Sequence, residues 1–271
     1  MTIRVRAPAT SANLGPGFDS AGVALELWNE LEVGQGDDSV DESHLGIQAF
    51  ARFASPRGRT FAFTDRIPRE RGLGSSAAVV ALGLVAGALA AGSKPSAEEL
   101  LAAGLELEGH PDNLAPALVG GVCLTWEGRI ARIADTVPAV PIALVPPNRV
   151  RTSEARSALP ASIAHADAAF TVGRAALLGA SLAGGDETLF AAALGDRLHE
   201  PYRSPAAPAL AEVRGDLPEG ALGATLSGSG PTVIVWAMAA GVEPCAAELR
   251  RRYPHHEVWQ LAVAANGAGP F

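Results

Sequence analysis

Apolar and polar positions alternate in two segments near the start of the chain, at residues 3–7 and, less strictly, at residues 23–33. A period of two is the spacing of a half-buried strand, so both segments are predicted to be strands. The glycine-rich residues 9–22 between them contain Asn13 and Asp19 and are predicted to form a loop that joins the two strands. Surface loops of this kind usually serve a ligand.

The pattern then changes to a helical one. A broad apolar face over residues 42–54 predicts a helix, and the alternation of residues 60–64 predicts the strand that follows it. Residues 75–91 are apolar on every side, which is typical of a helix buried in the middle of a domain. The uncharged run over residues 72–93 is long enough to raise the question of a membrane span, but its alanine, glycine and serine content favours a buried helix of a soluble protein.

Capping signals mark the next two helices. Ser96 and Glu99 have the spacing of a capping box and predict a helix that ends at Leu105 or Glu108. Pro111 predicts a break or a fresh helix start. Further strands are predicted at 121–126, 129–133, 140–145, 223–226, 232–239 and 257–263, and further helices at 152–159, 163–183, 187–198 and 242–253. This order of elements predicts an α+β fold.

Length and composition limit the class of protein. A chain of 271 residues with 48% hydrophobic residues can form one large domain or two ordinary ones, each with a real core. The doubled proline at 146–147 is the predicted seam, which gives domains at 1–147 and 148–271. The charge of −8, with no basic run longer than residues 250–252, provides no electrostatic footprint for nucleic acid.

The few cysteines and the single lysine limit the kinds of site that the chain can form. Cys123 and Cys245 lie far apart in apolar contexts, so buried free thiols are favoured over a disulfide or a metal site. The N-terminus lacks the apolar core of a secretory signal, and a cytoplasmic protein is expected. Lys94 is the only lysine, so a cationic contact to phosphate or carboxylate is expected to come from arginine.

The segment GLGSSAA at residues 72–78 is a candidate phosphate-binding loop. Its glycines permit close backbone approach, and the helix start that follows offers free N–H groups to an anion. It lacks the lysine of a Walker motif, so backbone dipoles, Mg²⁺ and arginine would have to neutralise the phosphates. Taken alone, such a segment is more often a tightly packed helix start, and its combination with the loops at 9–22 and 226–232 favours a ligand site.

Four motifs in order carry a resemblance to a known family. PATSANLGPGFD at 8–19, GLGSSAA at 72–78, EGHPDNLAP at 108–116 and GATLSGSGP at 223–231 resemble the motif set of the homoserine kinase family in the GHMP kinase superfamily. RTSEAR at 151–156 and DRLHEPYR at 196–203 extend the resemblance over nearly the whole chain. It implies an N-terminal mixed α/β nucleotide-binding part and a C-terminal ferredoxin-like α/β sandwich.

The resemblance implies ATP-dependent phosphorylation of the L-homoserine side-chain hydroxyl to O-phospho-L-homoserine, a step of threonine biosynthesis. It also implies a homodimer, while the charge and the apolar pattern of the chain predict no nucleic-acid or membrane partner. The implied ATP-binding residues are Arg71, Gly72, Leu73, Gly74, Ser75, Ser76, Ala77, Gly228, Ser229 and Gly230. A serine hydroxyl, assigned to Ser76, and Glu108 would contact Mg²⁺, although Ser75 and Glu106 are close enough in sequence to stay alternatives.

The implied acceptor site has two charged ends. Asn13 and Asp19 would hold the substrate amino group, and Thr152, Arg156 and Arg203 would address its carboxylate, as a zwitterion requires. Phosphoryl transfer depends more on alignment and charge neutralisation than on a strong base. Asn113, His110 and Asp112 are the candidate catalytic residues, with orientation of the hydroxyl by Asn113 favoured over base catalysis by His110.

Three alternatives stay open at this point. One is a GHMP kinase for another alcohol, such as a mevalonate-type acid, which has no amino group for Asn13 and Asp19 to bind. Another is a noncatalytic sensor that keeps the nucleotide cleft. The last is a protein-binding module with purely structural glycines, for which nucleotide would provide no stabilisation.

Overall fold

Two antiparallel sheets organise the chain. The computed structural model describes residues 2–36 and 41–271. The first elements are β1 (Ile3–Ala12), β2 (Ala21–Gln35), α1 (Leu45–Phe50), β3 (Arg59–Thr64), α2 (Ser75–Ala91), α3 (Ala97–Glu108), α4 (Pro111–Val119), β4 (Val122–Trp126), β5 (Arg129–Ala134) and β6 (Val140–Val145). They are followed by α5 (Thr152–Ser157), α6 (His165–Gly184), α7 (Glu187–Ala193), α8 (Glu200–Arg203), α9 (Pro208–Gly215), β7 (Ala221–Leu226), β8 (Val233–Ala237), α10 (Val242–Arg252), β9 (Glu257–Gln260) and β10 (Gly269–Pro270).

The first sheet has the strand order β10-β1-β2-β4-β5, and β3 pairs with the far end of β2. The β1–β2 pairing runs from Ile3 opposite Val33 to Ala12 opposite Gly22, so both strands end at the same loop. Helix α2 is buried along nearly its whole length, as its uniformly apolar sequence predicts. The loop at 13–20 and the start of α2 are therefore held by one hydrophobic core.

The second sheet has the order β7-β8-β6-β9 with every neighbouring pair antiparallel. Together with the helices that connect the strands, this is the β-α-β-β-α-β arrangement of a ferredoxin-like sandwich. Trp236 on β8 is fully buried and meets the Phe190 ring edge to face at 5.2 Å between ring centroids. The predicted α+β class and the ferredoxin-like second half are confirmed.

The order of the strands along the chain does not follow the division into two sheets. Strand β6 lies before the proline pair at 146–147 yet belongs to the second sheet. Strand β10, at the end of the described chain, returns to the first sheet and pairs with β1 at Val5 and Arg6. The domain division at residue 147 stays a prediction. One strand before that residue belongs to the second sheet, and one strand after it belongs to the first.

Most of the predicted elements are confirmed within a few residues, and the differences have local causes. The helix predicted at 42–54 is shorter because the His44 side chain accepts a hydrogen bond from the Gly46 N–H and caps it. The helix predicted at 187–198 ends at Ala193, and the Asp196 carboxylate accepts hydrogen bonds from the following backbone N–H groups. Helices α8 and α9 were not predicted; each has a proline in its first turn.

The two thiols are free and buried, as predicted. None of the helices in the described ranges has the length and apolarity needed to cross a membrane.

Candidate active site

A cavity of about 520 Å³ is lined by residues from both halves of the molecule. Its wall combines the loop between β1 and β2, residues 68–76, the junction of α3 and α4, helix α5 and the turn that follows β7. All of the predicted site residues line it except Ala77 and Gly230. Ala77 is fully buried in the hydrophobic core, and Gly230 lies in the turn, where its N–H donates to the Ser227 carbonyl at 2.8 Å.

The end of this cavity that is predicted to bind nucleotide is built from backbone. Gly74 is the N-cap of α2 at φ +65° and supplies no capping side chain, so the N–H groups of the first turn stay free for an anion. A Cβ on Gly74 would lie 1.8 Å from the Thr10 hydroxyl oxygen. A Cβ on Gly72, at φ +78°, would lie 2.3 Å from the Ser227 carbonyl oxygen. Both positions require glycine because of conformation and space.

The turn after β7 packs directly against this loop. The Ser227 hydroxyl donates to the Gly72 carbonyl at 2.6 Å and shares a 2.9 Å hydrogen bond with the Ser11 hydroxyl. The Gly228 N–H donates to the Ala12 carbonyl at 3.2 Å. Arg71 donates from Nη1 to the Pro146 carbonyl, and its Nε is buried with no hydrogen-bond partner among the described residues. Three separate segments are therefore locked together at the phosphate loop.

Asn13 holds the loop between β1 and β2 in place. Its backbone is left-handed at φ +73°, and its Oδ1 accepts from the Asp19 N–H at 3.0 Å. Its Nδ2 donates to the Gly228 carbonyl at 3.1 Å, and the side chain is buried. The asparagine predicted to bind substrate thus also joins the first loop to the turn after β7.

The end that is predicted to bind the acceptor is built from side chains. Arg156 Nη2 lies 2.8 Å and 3.0 Å from the two carboxylate oxygens of Asp19, and both side chains are about half exposed. Arg203 is buried and donates from Nη1 to the Gly228 carbonyl at 3.1 Å and from Nε to the Ala155 carbonyl at 3.4 Å. Thr152, at the first position of α5, lines the same end. A carboxylate acceptor and two guanidinium donors are therefore adjacent.

Glu108 and Ser76 lie together on the cavity wall. Burial raises the pKa of Glu108 to about 7, a hydrogen bond from the Ser76 hydroxyl opposes that rise, and the nearby Asp112 adds to it. Glu106 points elsewhere: it pairs with Arg52 at 2.6 Å on the surface and does not line the cavity. Of the two alternative glutamates, Glu108 is the one placed beside the phosphate loop.

The first turn of α4 brings the candidate catalytic residues together. The Asn113 Oδ1 accepts a 2.8 Å hydrogen bond from the Thr10 hydroxyl. Asp112 is buried, and burial together with the Asp19 charge raises its pKa to about 7. Burial and the Arg156 charge lower the pKa of His110. The lowered pKa favours the neutral form of His110, and the raised pKa favours the protonated form of Asp112.

Several residues that shape the site were not predicted. Thr10, Ser11 and Ser227 are fully buried polar groups that join the loops. All three lie inside the motifs at 8–19 and 223–231, and polar residues at the ends of apolar strands were the signal that could have found them. Phe18 and His199 stack with ring centroids 5.0 Å apart below the two arginines, a contact that no spacing along the chain indicates.

Comparison with known proteins identifies the family to which this fold and cavity belong. The profile of the GHMP kinases N terminal domain matches residues 44–121, and that of the GHMP kinases C terminal domain matches residues 175–255. Mevalonate kinase has the same fold with a TM-score of 0.73 at 13% identity, covering 97% of this chain and 99% of that one. The two sheets, the glycine loop and the turn that closes it define a GHMP kinase.

Closer relatives narrow the class. Homoserine kinase of Clavibacter michiganensis is 41% identical, covering 91% of this chain and 86% of the relative, and that of Streptomyces avermitilis is 40% identical, covering 90% and 88%. The crystal structure of homoserine kinase from Cytophaga hutchinsonii has a TM-score of 0.90 at 26% identity, covering 100% of this chain and 97% of that one. The chain belongs to the homoserine kinase family.

Proposed function

We propose that this protein is a homoserine kinase, which transfers the γ-phosphoryl group of ATP to the side-chain hydroxyl of L-homoserine and releases O-phospho-L-homoserine for threonine biosynthesis. One observation carries the proposal: a single cavity joins a backbone-built anion site at Gly72 and Gly74 to a side-chain site of opposite charges at Asp19, Arg156 and Arg203. The family to which the chain belongs supports the same reaction.

The acceptor site suits a zwitterion. The Asp19 carboxylate can accept hydrogen bonds from an ammonium group, and the arginine guanidinium groups can donate to a carboxylate. Asp19 and Arg156 pair with each other at 2.8 Å. A zwitterion can offer an ammonium group to Asp19 and a carboxylate to Arg156 in place of their contact with each other. A mevalonate-type acid has no ammonium group and would leave Asp19 without a cation.

Phosphate binding is assigned to the free N–H groups at the start of α2, with Arg71, Ser229 and the residues of the 72–76 loop around the triphosphate. The helix dipole favours negative charge at this end. Ala77 and Gly230 do not line the cavity; they pack under the loop and hold it in place. In phosphoryl transfer the protein mainly positions two reactants and stabilises charge, which is what a rigid loop at this place provides.

The donors on the wall fit Mg²⁺. Glu108 and Ser76 would hold the ion, since hard oxygen ligands are what Mg²⁺ prefers, and a carboxylate whose pKa burial raises to about 7 lacks a compensating cation. No cluster of three or more His, Cys, Asp or Glu side chains suited to a metal occurs in residues 2–36 and 41–271, so the nucleotide phosphates would supply further ligands. Bound Mg²⁺ would neutralise charge on the transferring phosphoryl group.

Asn113 is proposed to orient the acceptor hydroxyl. Its Oδ1 accepts from Thr10, and its Nδ2 lies 3.5 Å from Asp112 Oδ1, so the second amide hydrogen is the one that can donate to an oxygen. The amide cannot accept a proton. The proton that leaves the hydroxyl can pass to the transferred phosphate oxygens or to Asp112. His110 is less suited to this role, because burial beside Arg156 lowers its pKa.

The test is ADP release with Mg·ATP in the presence of L-homoserine, L-serine, L-threonine or mevalonate, with the product identified by phosphorus NMR. Homoserine-selective turnover to a phosphate monoester is expected. Turnover of another alcohol would keep the kinase and replace its substrate, and nucleotide binding without turnover would favour a sensor. A cytoplasmic location, a homodimer and the absence of nucleic-acid and membrane partners stay predictions.

A further inference from the structure

His199 connects two parts of the acceptor end from inside the protein. Its side chain is fully buried between the loop that contains Gly15 and the short helix that carries Arg203. The imidazole Nε2 lies 2.8 Å from the Gly15 carbonyl oxygen, and Nδ1 lies 3.3 Å from Arg203 Nη1. No role at this position follows from the phosphoryl-transfer chemistry, because the ring does not line the cavity.

The two contacts fix where the proton of the ring lies. A carbonyl oxygen can only accept a hydrogen bond, so Nε2 must carry the proton toward Gly15. A guanidinium N–H can only donate, so Nδ1 must present its lone pair to Arg203. An imidazolium would direct an N–H and a positive charge at Arg203 instead. The neutral tautomer with hydrogen on Nε2 is therefore the form that satisfies both neighbours.

The charged groups around the ring agree with this form. Asp196 Oδ2 is 3.7 Å from Nε2, too far for a hydrogen bond, and it accepts from the backbone N–H groups of His199 and Glu200 instead. Arg203 lies on the Nδ1 side, and Asp19 is a more distant charge. Burial outweighs the attraction of the carboxylates and lowers the pKa of His199 to about 4.

The same ring also supports the aromatic contact below the arginines. His199 stacks on Phe18 at 5.0 Å, and the guanidinium carbons of Arg203 and Arg156 lie 5.2 Å and 5.8 Å from the centroid of that phenylalanine. Arg203 Nη1 is held by His199 and Gly228, and Nε by Ala155. In the described part of the chain this leaves Nη2 as the guanidinium nitrogen without a hydrogen bond.

We propose that His199 is a positioning residue, which holds Arg203 and the Gly15 loop in register so that Arg203 Nη2 faces the acceptor carboxylate. This inference rests on the proposed function and adds a residue to its acceptor site. It predicts an effect on the binding of homoserine and little effect on ATP. A merely structural role for His199 would disturb both substrates together.

Two substitutions separate the two contacts of the ring. The amide of His199→Asn reaches about as far as Nδ1 and can still accept from Arg203, whereas that of His199→Gln reaches about as far as Nε2 and can replace only the bond to Gly15. We expect His199→Gln to raise the homoserine KM about tenfold, the usual worth of one hydrogen bond to a charged group, with the ATP KM within about twofold. His199→Asn should raise the homoserine KM less.

Exposed His165 provides the matched control, since His165→Gln makes the same chemical change on the surface and should leave both KM values unchanged. In an Arg203→Lys background, His199→Gln should add less than about twofold to the homoserine KM, because residues that act through one contact are not additive. Equal increases in both KM values, or a full additional effect in the Arg203→Lys background, would overturn the proposal.

Nitrogen-15 NMR of the histidine side chains in the wild-type protein gives a readout that needs neither a variant nor turnover. The expected signal is a neutral ring with hydrogen on Nε2 and a bare Nδ1 at pH 7. Hydrogen on Nδ1, or an imidazolium at that pH, would refute the positioning role. If the wild-type protein does not phosphorylate homoserine, the proposed function fails on that result alone, and the NMR measurement still decides the geometry.

Discussion

The two ends of the cavity are made from different parts of the polypeptide. At the nucleotide end, glycine backbone and free N–H groups form the surface, and buried hydroxyls of Thr10, Ser11 and Ser227 lock it from behind. At the acceptor end, the Asp19, Arg156 and Arg203 side chains form the surface. Backbone recognition suits a phosphate group that many kinases share, and side-chain charges suit the discrimination of one acceptor from another.

This contrast predicts different failures at the two ends. A side chain added to a glycine at the nucleotide end collides with neighbouring backbone, so the loop cannot keep its conformation. A side chain removed at the acceptor end deletes one contact with the substrate and leaves the shape of the cavity unchanged. The substitutions below test that contrast, from the largest expected effect to the smallest.

The largest effect is expected for Gly72→Ala. The new Cβ would lie 2.3 Å from the Ser227 carbonyl oxygen, which is backbone and cannot move freely, in a conformation that L residues avoid. We expect kcat/KM for ATP to fall about 1,000-fold, a loss of about 4 kcal/mol. Gly92→Ala is the control, since Gly92 has φ +64° with open space around it. This control should lose about 1–2 kcal/mol of stability and keep its activity. Full activity of Gly72→Ala would contradict the account.

Glu108→Gln tests the proposed Mg²⁺ ligand, which lies between the nucleotide end and the acceptor end. The amide keeps the shape and loses the charge, so the Mg²⁺ concentration needed for half-maximal rate should rise, and kcat should fall about 100-fold. Glu106→Gln makes the identical change two residues earlier, on a surface side chain paired with Arg52, and should behave like the wild type. A Mg²⁺ titration of both variants measures the effect, and equal behaviour of the two would remove Glu108 from the metal site.

Arg156→Ala tests the acceptor end. It removes one guanidinium and leaves Asp19 without its partner, so kcat/KM for homoserine should fall about 30-fold, the worth of a charge-assisted contact of about 2 kcal/mol. The ATP KM should stay within about twofold. Arg4→Ala, which breaks an exposed pair with Glu32 far from the cavity, is the control. An effect on ATP as large as that on homoserine would mean that the two ends are not separate.

The last prediction concerns the pH dependence of stability rather than activity. The pKa of His199 is about 4 in the folded protein and about 6.5 in an unfolded chain, so between these values only the unfolded state takes up a proton. Stability should therefore fall as the pH decreases from about 6.5 to 4, by at most about 1.4 kcal/mol per pH unit from this group. Urea unfolding at several pH values should show a shallower acid loss for His199→Gln, and an unchanged slope would assign the loss to other groups.

The same contrast explains what could be predicted from the sequence. The bounds of α2 and the start of α4 followed from local signals, a uniformly apolar run and a proline, and the glycine motifs indicated the nucleotide end. The Phe18 and His199 stack joins residues far apart in the chain, and the Asp19 to Arg156 pair spans 137 positions. Such contacts depend on how the two sheets come together, which no periodicity along the chain contains.

The position of β6 shows the same limit. Its apolar run predicted the strand correctly, but nothing in that run indicates that the strand pairs with β8 and β9, which follow the proline pair in the chain. Strand β10 has two residues and forms only because β1 offers a free edge. Sheet membership is a tertiary property, so local pattern identified the strands and not their partners.

The most direct test of the central claim is the rate of ADP release with L-homoserine beside two analogues that each lack one charge, 4-hydroxybutyrate and 3-amino-1-propanol. If Asp19 and the two arginines recognise a zwitterion, each analogue should lose at least about 30-fold in kcat/KM, since each leaves one end of the acceptor site unpaired. Turnover of either analogue at the rate of homoserine would contradict recognition by that end of the cavity.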